Sequence, residues 1–314
     1  MANATYTVDP GGSKTYLSIQ ACFTAVMAGH TSGDTVTIEC YRTTSAKDTT
    51  PVSLSGIESG ETLIITAHPD HRHEGKYADQ QAGGNYIYTL EVSTADGSAS
   101  IYNFSYAEDV TVEGLIVSDT ATIAGTKAIY HVRNTDKCIV LSDNNAIEPP
   151  NNGVVQNSFV RATGGRAIFS ASGVTNVSIN NSTVFGGYAG IEGTTDCTVT
   201  NCYVSGTTTA FNGTFNAASD YNVSSDATAS VFTNNAQSQA TYASYFVDYA
   251  NDDYRLLADS NTLWGLSGTD LSATFTDDIE GETRSVWDIG ADEYATAASG
   301  PTIPIFINHY RNMD

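Results

Sequence analysis

A nine-residue pattern recurs along the chain and limits the folds that it can adopt. The copies are DVTVEGLIV from Asp109, NVSINNSTV from Asn176 and DCTVTNCYV from Asp196. Each copy has an apolar residue, with cysteine counted as apolar, at its second, fourth and ninth positions. This pattern predicts two short strands with a bend between them. NGVVQNSFV from Asn152 fits the same frame.

The spacing of the copies predicts stacked coils. Copies that begin at residues 152, 176 and 196 are 24 and 20 residues apart, and the copy at residue 109 lies 43 residues before the next. The longer interval fits two coils, with residues 136–144 as a poorer copy between. No helical pattern separates the strand signals, and in a β-helix each coil itself makes the return to the next parallel strand. The sequence therefore predicts an all-β chain folded as a three-faced parallel β-helix.

The sixth position of the repeat predicts a structural bend. It holds Gly114, Asn157, Asn181 and Asn201. Glycine and asparagine are the residues that best tolerate a positive φ, which a tight bend between two strands requires. Stacked asparagines can also hydrogen-bond from one coil to the next.

Three segments follow from the pattern of the whole chain. Residues 1–244 are predicted to form the β-helix, including a helix at about residues 13–29 whose apolar face is Ile19, Cys22, Phe23, Val26 and Met27. Because an open coil exposes apolar core and unpaired backbone, we expect this helix to cap the first coil. Residues 245–294 are predicted to be a C-terminal cap module, and residues 295–314 a small-residue linker followed by an apolar tail.

The charge balance excludes two classes of partner. The net charge is −22, with 13 Lys and Arg against 35 Asp and Glu, so we expect no binding to nucleic acid or to anionic membrane surfaces. The five cysteines form no CxxC pair and most of them lie in apolar patterns, which predicts buried free thiols. The first residues carry no secretory-signal pattern. We therefore expect assembly inside the cell, with a secreted or cell-surface location as the alternative if a signal was removed.

Three stretches resemble a known superfamily. They are the opening TYTVDPGGSKTYLSIQACFTAVMAGHTSGDTVTIECY, the segment HRHEGKY, and DYRLLADSNTLWGLSGTDL with the following DDIEGETRSVWDIGADEY. They resemble uncharacterised bacterial and phage members of the right-handed parallel β-helix (pectin-lyase-like) superfamily, many of which end in a DIGADEY-type module. Asn261-Thr262 and Glu280 depart from the usual form of that module. The resemblance implies a right-handed, capped β-helix, and it implies little about activity because the superfamily includes lyases, hydrolases, adhesins and virion proteins.

The repeat supplies acids but no catalytic set. A lyase-like site needs clustered carboxylates for Ca²⁺ with a basic residue beside them. The candidate acids are Asp109, Glu113, Asp119, Asp136, Asp143, Glu192 and Asp196, with Lys137, Arg161 and Arg166 as the nearest bases. We interpret them as turn acids. Asn134-Thr135-Asp136 matches only the first element of a polygalacturonase-like site, so no catalytic residue is assigned.

Two clusters of potential metal ligands are interpreted as structural. His68, His71, His73 and Glu74 lie in HPDHRHE, where Pro69 breaks any helical spacing. The acids at positions 277, 278, 280, 288, 292 and 293 surround Arg284 in sequence and predict an ion-pair network. No cofactor is predicted, and Ca²⁺ in this acidic cluster stays open as an alternative.

The tail is the feature that points to a partner. Its apolar residues are Ile303, Ile305, Phe306, Ile307 and Tyr310. We expect it either to pack on its own chain or to dock on other virion or surface proteins. A glycan and further copies of the chain are also expected partners, and trimers are common among the virion proteins that the chain resembles.

We predict a non-enzymatic structural or adhesive protein of a phage virion (capsid decoration, fibre or tail-associated). The alternative is a carbohydrate-active enzyme, a polysaccharide lyase or glycoside hydrolase, which a cleft with clustered carboxylates, a cation and stacking tyrosines would favour.

Overall fold

The computed structural model describes residues 3–93, 98–104, 109–121, 123–239, 244–251 and 253–294. The predicted linker and tail at 295–314, with Ile303, Ile305, Phe306, Ile307 and Tyr310, lie outside the described residues. Parallel strands dominate the described residues and form three sheets of eight, eight and seven strands. Among the described residues, no helix is both long and apolar enough to cross a membrane.

The three sheets are called A, B and C, and within each sheet every strand pairs with the next one named. Sheet A contains β1 (Asn3–Val8), β2 (Thr35–Cys40), β4 (Thr62–Ala67), β7 (Asp109–Glu113), β10 (Asn134–Asp136), β13 (Val154–Gln156), β16 (Val177–Asn180) and β19 (Cys197–Thr200). Sheet B contains β5 (Thr89–Val92), β8 (Ile116–Asp119), β11 (Ile139–Ser142), β14 (Phe159–Ala162), β17 (Thr183–Gly186), β20 (Tyr203–Gly206), β22 (Asn222–Ser224) and β23 (Asn235–Ala236). Sheet C contains β3 (Val52–Leu54), β6 (Ile101–Asn103), β9 (Lys127–Tyr130), β12 (Asn145–Glu148), β15 (Arg166–Phe169), β18 (Ala189–Gly193) and β21 (Thr209–Gly213).

From β7 to β21 the chain visits sheets A, B and C in turn, so that each round adds one strand to every sheet. The register pairs Thr111 with Asn134, Asn134 with Val154, Val154 with Ser178 and Ser178 with Thr198, which gives coils of 23, 20, 24 and 20 residues. This solenoid-like stack of parallel strands agrees with the prediction of an all-β chain and is consistent with a β-helix.

One copy of the repeat lies elsewhere than predicted. Thr135 pairs with Val112 on one side and with Val155 on the other, so the copy between them begins at residue 132, not at residue 136. The sequence hides this copy because Thr135 occupies the fourth, usually apolar, position. Lys137 occupies the sixth position, where the other copies have Gly or Asn.

The inward side chains of the three sheets form one continuous core. Residues from consecutive coils stack on one another there, among them Val110, Val112, Val117, Ile129, Val140, Ile147, Val155, Ile168, Ile179, Val184, Ile191 and Val199. The five cysteines are buried and unpaired, as predicted. Burial raises the pKa of Cys138, Cys197 and Cys202 to about 12 and keeps these thiols protonated.

The N-terminal helix begins later than the predicted residue 13, and a 3-10 turn over Met27–Gly29 continues it to the predicted end at residue 29. Helix α1 spans Ile19–Val26, and Ser18 at its N-cap accepts a hydrogen bond from Ala21 N. The residues before it are held in a turn because the Asp9 carboxylate accepts hydrogen bonds from Gly11 N and Ser13 N. The apolar face of α1 packs against β1, β2 and β3.

The C-terminal module lies along the flank of the stack. It contains the antiparallel pair β24 (Phe246–Asp248) and β25 (Asp253–Leu256) and the short helix α2 (Ser260–Trp264). A second apolar cluster joins it to the outer face of sheet B, where Ile116, Ile139, Phe159 and Tyr203 meet Phe246, Tyr254, Leu256, Trp264 and Ile289. This position differs from the predicted end cap, because the outer face of sheet B is apolar and needs cover. The residues that lie against Phe211, in the last strand of sheet C, are Phe215 and Phe232 and not residues of the module.

Candidate functional site

Three of the bend residues of the repeat, Asn157, Asn181 and Asn201, connect the solenoid to the C-terminal module. Gly114, Asn157, Asn181 and Asn201 have φ values of 69°, 46°, 40° and 56°, and Lys137 joins them at 50°. Asn181 Nδ2 donates to Asp288 O at 2.9 Å, and Asn201 exchanges two hydrogen bonds with the backbone of Thr269. Asn201 Nδ2 also donates to Asn181 Oδ1 at 3.1 Å, one step of an asparagine ladder.

Arg284 lies at the centre of the acidic C-terminal motif. Its side chain is fully buried and donates to Asn157 Oδ1 and to the carbonyl oxygens of Asp277, Asp288, Gly290 and Ala291. The acids around it accept hydrogen bonds from backbone N–H groups: Asp278 from Glu280, Glu282 and Glu293; Asp288 from Ser260 and Tyr294; Asp292 from Leu256. These contacts hold loops together, so the motif serves the packing of the module.

One group of acids has the spacing of metal ligands. Carboxylate oxygens of Asp278, Glu280 and Asp292 lie within 4.8 Å of one another, which is unique among the described residues. Burial, with the nearby Asp278, raises the pKa of Glu280 to about 7. Oxygen ligands suit Ca²⁺, but Ca²⁺ takes roughly six to eight of them. The three carboxylates therefore do not define a calcium site by themselves.

The histidine-rich loop spreads its side chains over separate partners. The His68 ring stacks on Tyr41 with centroids 4.4 Å apart, and His71 Nδ1 lies 2.8 Å from Tyr86 O. His73 Nε2 lies 2.7 Å from Lys137 O, and burial lowers the pKa of His73 to about 3, so its ring is neutral. Glu74 accepts a hydrogen bond from Ala82 N. Each side chain thus fixes the loop at a different point.

The candidate acids of the repeat are distributed over several surfaces. Asp109 pairs with Arg133 at 3.0 Å, and Asp196 is exposed at the start of β19. Glu113 and Asp277 bind the ammonium group of Lys137 at 3.0 and 2.7 Å. The structure does not assemble all of these acids into one site, although Asp119 and Asp143 line one groove and Glu113 and Asp136 both lie near Lys137.

The outer face of sheet C carries a row of aromatic and charged side chains, called here the aromatic face. It consists of Tyr102, Lys127, Tyr130, Glu148, Arg166, Phe169, Tyr188, Glu192 and Asn212. Tyr102 pairs with Tyr130 in the ladder, and their rings stack with centroids 4.8 Å apart. Tyr130 in turn pairs with Glu148, and Phe169 with Glu192. The row follows the long direction of the stack.

Cations bridge the aromatic and acidic members of the aromatic face. Lys127 Nζ lies 4.4 Å from the Tyr130 ring centroid and 3.2 Å from a Glu148 carboxylate oxygen. The Arg166 guanidinium lies 4.7 Å from the Phe169 centroid, and its Nε is 2.7 Å from Glu192 Oε2. Asn212 Nδ2 donates to the same Glu192 oxygen at 2.7 Å. These contacts fix the orientation of rings that remain partly exposed.

The sequence holds a signal for this face that the nine-residue repeat does not include. Residues 128–130, 146–148, 167–169, 190–192 and 210–212 read AIY, AIE, AIF, GIE and AFN. The first residue is small, the second is apolar and buried, and the third belongs to the aromatic face, where Glu148 is only 6% exposed. Because each unit has only three residues, its period becomes visible only when the coils are aligned.

A groove runs along the corner where sheet B strands turn toward sheet C. It has two adjoining sections of about 220 and 480 Å³, and Arg161 and Thr163 line both. Asp119 and Asp143 line the smaller section, and Phe185 and Tyr249 line the larger one.

No protein-family model matches the chain, and no curated protein or solved structure matches it either.

Proposed function

We propose that the protein is a right-handed parallel β-helix that acts as a non-enzymatic adhesive protein, holding an extended glycan against the aromatic face. The observation that carries this proposal is the row of partly exposed rings along one side of the stack. Right-handed winding is supported by the strong preference of parallel connections for that hand and by the resemblance of the opening and closing stretches. In this proposal α1 caps the first coil.

The chemistry of the aromatic face suits a sugar polymer. Aromatic rings pack against the apolar faces of sugar rings, while carboxylates and amides beside them accept and donate hydrogen bonds to hydroxyl groups. Consecutive strands are about 4.8 Å apart, so the row presents contacts at short, regular intervals along a straight line. The ion pairs Lys127–Glu148 and Arg166–Glu192 hold the contacts in place before the glycan arrives, which reduces the entropy lost on binding.

We place this protein in a phage virion as a capsid decoration, fibre or tail-associated component, with the tail at 295–314 docking on a neighbouring protein. The resemblance of three stretches to phage proteins supports this setting, as do the acidic composition and the apolar tail sequence. Immunogold labelling of purified particles tests it. Gold on virions supports the setting, and gold confined to host cells contradicts it.

Binding to a glycan panel tests the adhesive function. Dissociation constants are measured for the wild-type protein and for Tyr130→Ala and Phe169→Ala. We expect each variant to bind the recognised glycan about five- to tenfold more weakly, since a lost ring contact costs roughly 1 kcal/mol. Leu17→Ala, which truncates a residue 61% exposed just before helix α1, is the control. Unchanged affinity in both ring variants, or no binding to any glycan, would contradict the proposal.

The second candidate is a carbohydrate-active enzyme, which one observation favours. Glu148 and Glu192 lie on the strands that flank β15, so their backbones are two strand spacings of about 4.8 Å apart, near the upper limit of the roughly 6.5–9.5 Å between the carboxyl groups of an inverting pair. Incubation with the same panel, with and without Ca²⁺, distinguishes the candidates. Depolymerisation that Glu192→Gln abolishes would establish the enzyme and overturn the non-enzymatic role.

A further inference from the structure

The first strand of sheet A has one open edge. On one side β1 pairs with β2 in an unbroken parallel register, and Val8 O accepts a hydrogen bond from Tyr41 N. On the other side Tyr16 N donates to Thr7 O, and Asp9 N donates to Tyr16 O. Tyr16 therefore covers this edge only beside Val8, its partner in an isolated bridge.

The backbone groups along the rest of this edge lack partners. Alternate residues of a strand direct their N–H and C=O groups to opposite sides, so Asn3 and Thr5 face away from β2, as Thr7 does. Both residues are exposed, and no hydrogen bond reaches their backbone groups within the described residues. Natural sheets protect such an edge with lysine, proline or a bulge. β1 reads NATYTV and has none of these.

Other outer strands of the stack are covered by their own chain. In β19, the last strand of sheet A, Val199 N donates to Ser219 Oγ at 3.0 Å. In β21, the last strand of sheet C, Ala210 N donates to the Asp226 carboxylate at 2.9 Å. Asp48 forms a bridge with β5, the first strand of sheet B. β1 differs from these strands because no segment of the described chain covers Asn3 and Thr5.

The surface around β1 is almost uncharged. Asp9 and Lys14 are the only Asp, Glu, Lys or Arg residues among residues 1–33, in a chain with a net charge of −22. Leu17, which follows the bridge residue Tyr16, is 61% exposed. The exposed residues of α1 are small and uncharged: Ala21, Thr24 and Ala25. Copies of an acidic chain repel one another over most of their surface, so two copies approach most readily here.

We propose that two copies of the chain pair through β1, antiparallel and across a twofold axis beside Ala4. Asn3 of each copy then lies opposite Thr5 of the other, and the two residues exchange hydrogen bonds between their backbone groups. A twofold contact uses the same surface on both copies, so the groups left open on one are matched by those of the other. Centring on Ala4 keeps each strand clear of Tyr16. The pairing does not depend on the function proposed above.

The association is expected to be reversible. Four backbone hydrogen bonds and a small uncharged surface place it at the low end of specific interfaces, with a dissociation constant on the order of micromolar. Sedimentation equilibrium of the full chain between about 1 and about 100 µM measures this constant. A monomer throughout that range would overturn the proposal, including the case in which the edge binds a different protein.

Two substitutions of one residue test the use of its N–H group. Thr5→Pro removes an N–H that points away from β2, and proline is tolerated at such a position of an edge strand. We expect this variant to raise the dissociation constant of the dimer at least tenfold. Thr5→Ala keeps the N–H and should leave the constant unchanged. A dimer that survives Thr5→Pro would overturn the pairing through β1.

Cross-linking decides the question even if Thr5→Pro disturbs folding. Across the proposed axis the Cα atoms of the two Ala4 residues are about 4.5 Å apart, within the range of a disulfide. Mild oxidation of Ala4→Cys should therefore give covalent dimers, and the native cysteines are buried. Thr37→Cys on β2 is the control, because three strand spacings put its two copies at least roughly 14 Å apart. Equal cross-linking of the two variants would mean random collisions and would overturn the proposal.

Discussion

At the scale of single residues, Arg284 links the two parts of the molecule. Its guanidinium reaches Asn157 in the solenoid at 3.1 Å and Glu293 in the module at 3.5 Å, with no exposed side-chain surface. A buried cation is tolerated only when its donors and its charge are both matched. The carbonyl oxygens around Arg284 supply the first requirement, and the acids of the module supply the second.

Replacing Arg284 with methionine is therefore expected to lower the free energy of unfolding by about 3–5 kcal/mol, because it leaves buried acceptors and a buried carboxylate without their partner. Urea unfolding measures the change. Arg133→Met is the control, since Arg133 and its partner Asp109 are 34% and 55% exposed and such pairs contribute roughly 0–1 kcal/mol. Similar losses in the two variants would contradict a special role for Arg284.

The bend positions show what residue chemistry predicts and what it does not. Gly114 and the three asparagines are predicted from their tolerance of a positive φ, and they have it. Lys137 adopts the same conformation at 50° although lysine has no such preference. Its ammonium group contacts Glu113 and Asp277, which come from another coil and from the module. Contacts across that sequence distance compensate for the backbone strain, and no local rule anticipates them.

At the scale of elements, the outer face of sheet B determines where the C-terminal module lies. Phe159 of β14 stacks on Tyr254 of β25 with ring centroids 3.4 Å apart, and Tyr203 of β20 stacks on Trp264 of α2 at 5.5 Å. A strand with apolar residues on both faces must be covered on both. The module supplies the cover on the outer side.

Phe159→Ala is expected to lower the free energy of unfolding by about 3–5 kcal/mol, because a fully buried ring leaves a cavity between the solenoid and the module. Thermal and urea unfolding measure it. Phe104→Ala removes a ring that is 49% exposed and should cost far less. Equal costs would mean that the module does not bury sheet B in solution.

The nine-residue repeat contains the signal for this arrangement. Its eighth position is Ile116, Ile139, Phe159, Thr183 and Tyr203 in successive coils, next to the inward ninth position. Adjacent apolar residues in a strand indicate burial on both faces. The fourth copy breaks the pattern with threonine, and the second begins outside the predicted frame, so the eighth position does not stand out in the sequence. What the sequence cannot reveal is which segment covers the face, because that depends on shape matching between distant residues.

At the scale of the whole molecule, a chain with a net charge of −22 buries several of its carboxyl groups. Burial raises the pKa of Asp119 to about 6, of Asp136 to about 6 and of Glu280 to about 7. The pKa of Asp9 is instead lowered to about 2; burial alone would raise it, but hydrogen bonds from Ser13 and Thr43 outweigh that effect. The two kinds of group act on stability in different ranges of pH.

The raised groups make the protein more stable in mild acid than at neutral pH. The folded state binds more protons than the unfolded state between the ordinary carboxyl pKa, about 4, and the folded values of 6 to 7. The stability that these groups contribute is fully present below about pH 4, and it is lost as the pH rises through their pKa values in the folded state. The folded state lowers the pKa of Asp9, so the contribution of this group to the free energy of unfolding is present at higher pH and is lost only below about pH 4.

We therefore expect the free energy of unfolding to be greatest near pH 4–5 and to fall by at least about 2 kcal/mol between pH 5 and pH 8, since one pKa unit corresponds to about 1.4 kcal/mol. Urea unfolding across this range measures the fall. Glu280→Gln removes one of the carboxyl groups whose pKa is raised and should make the fall shallower, most of all between pH 5 and pH 7, whereas Asp270→Asn changes an exposed acid and should leave the profile unaltered. A stability that rises from pH 5 to pH 8 would show that these carboxyl groups are solvated or neutralised in the folded protein.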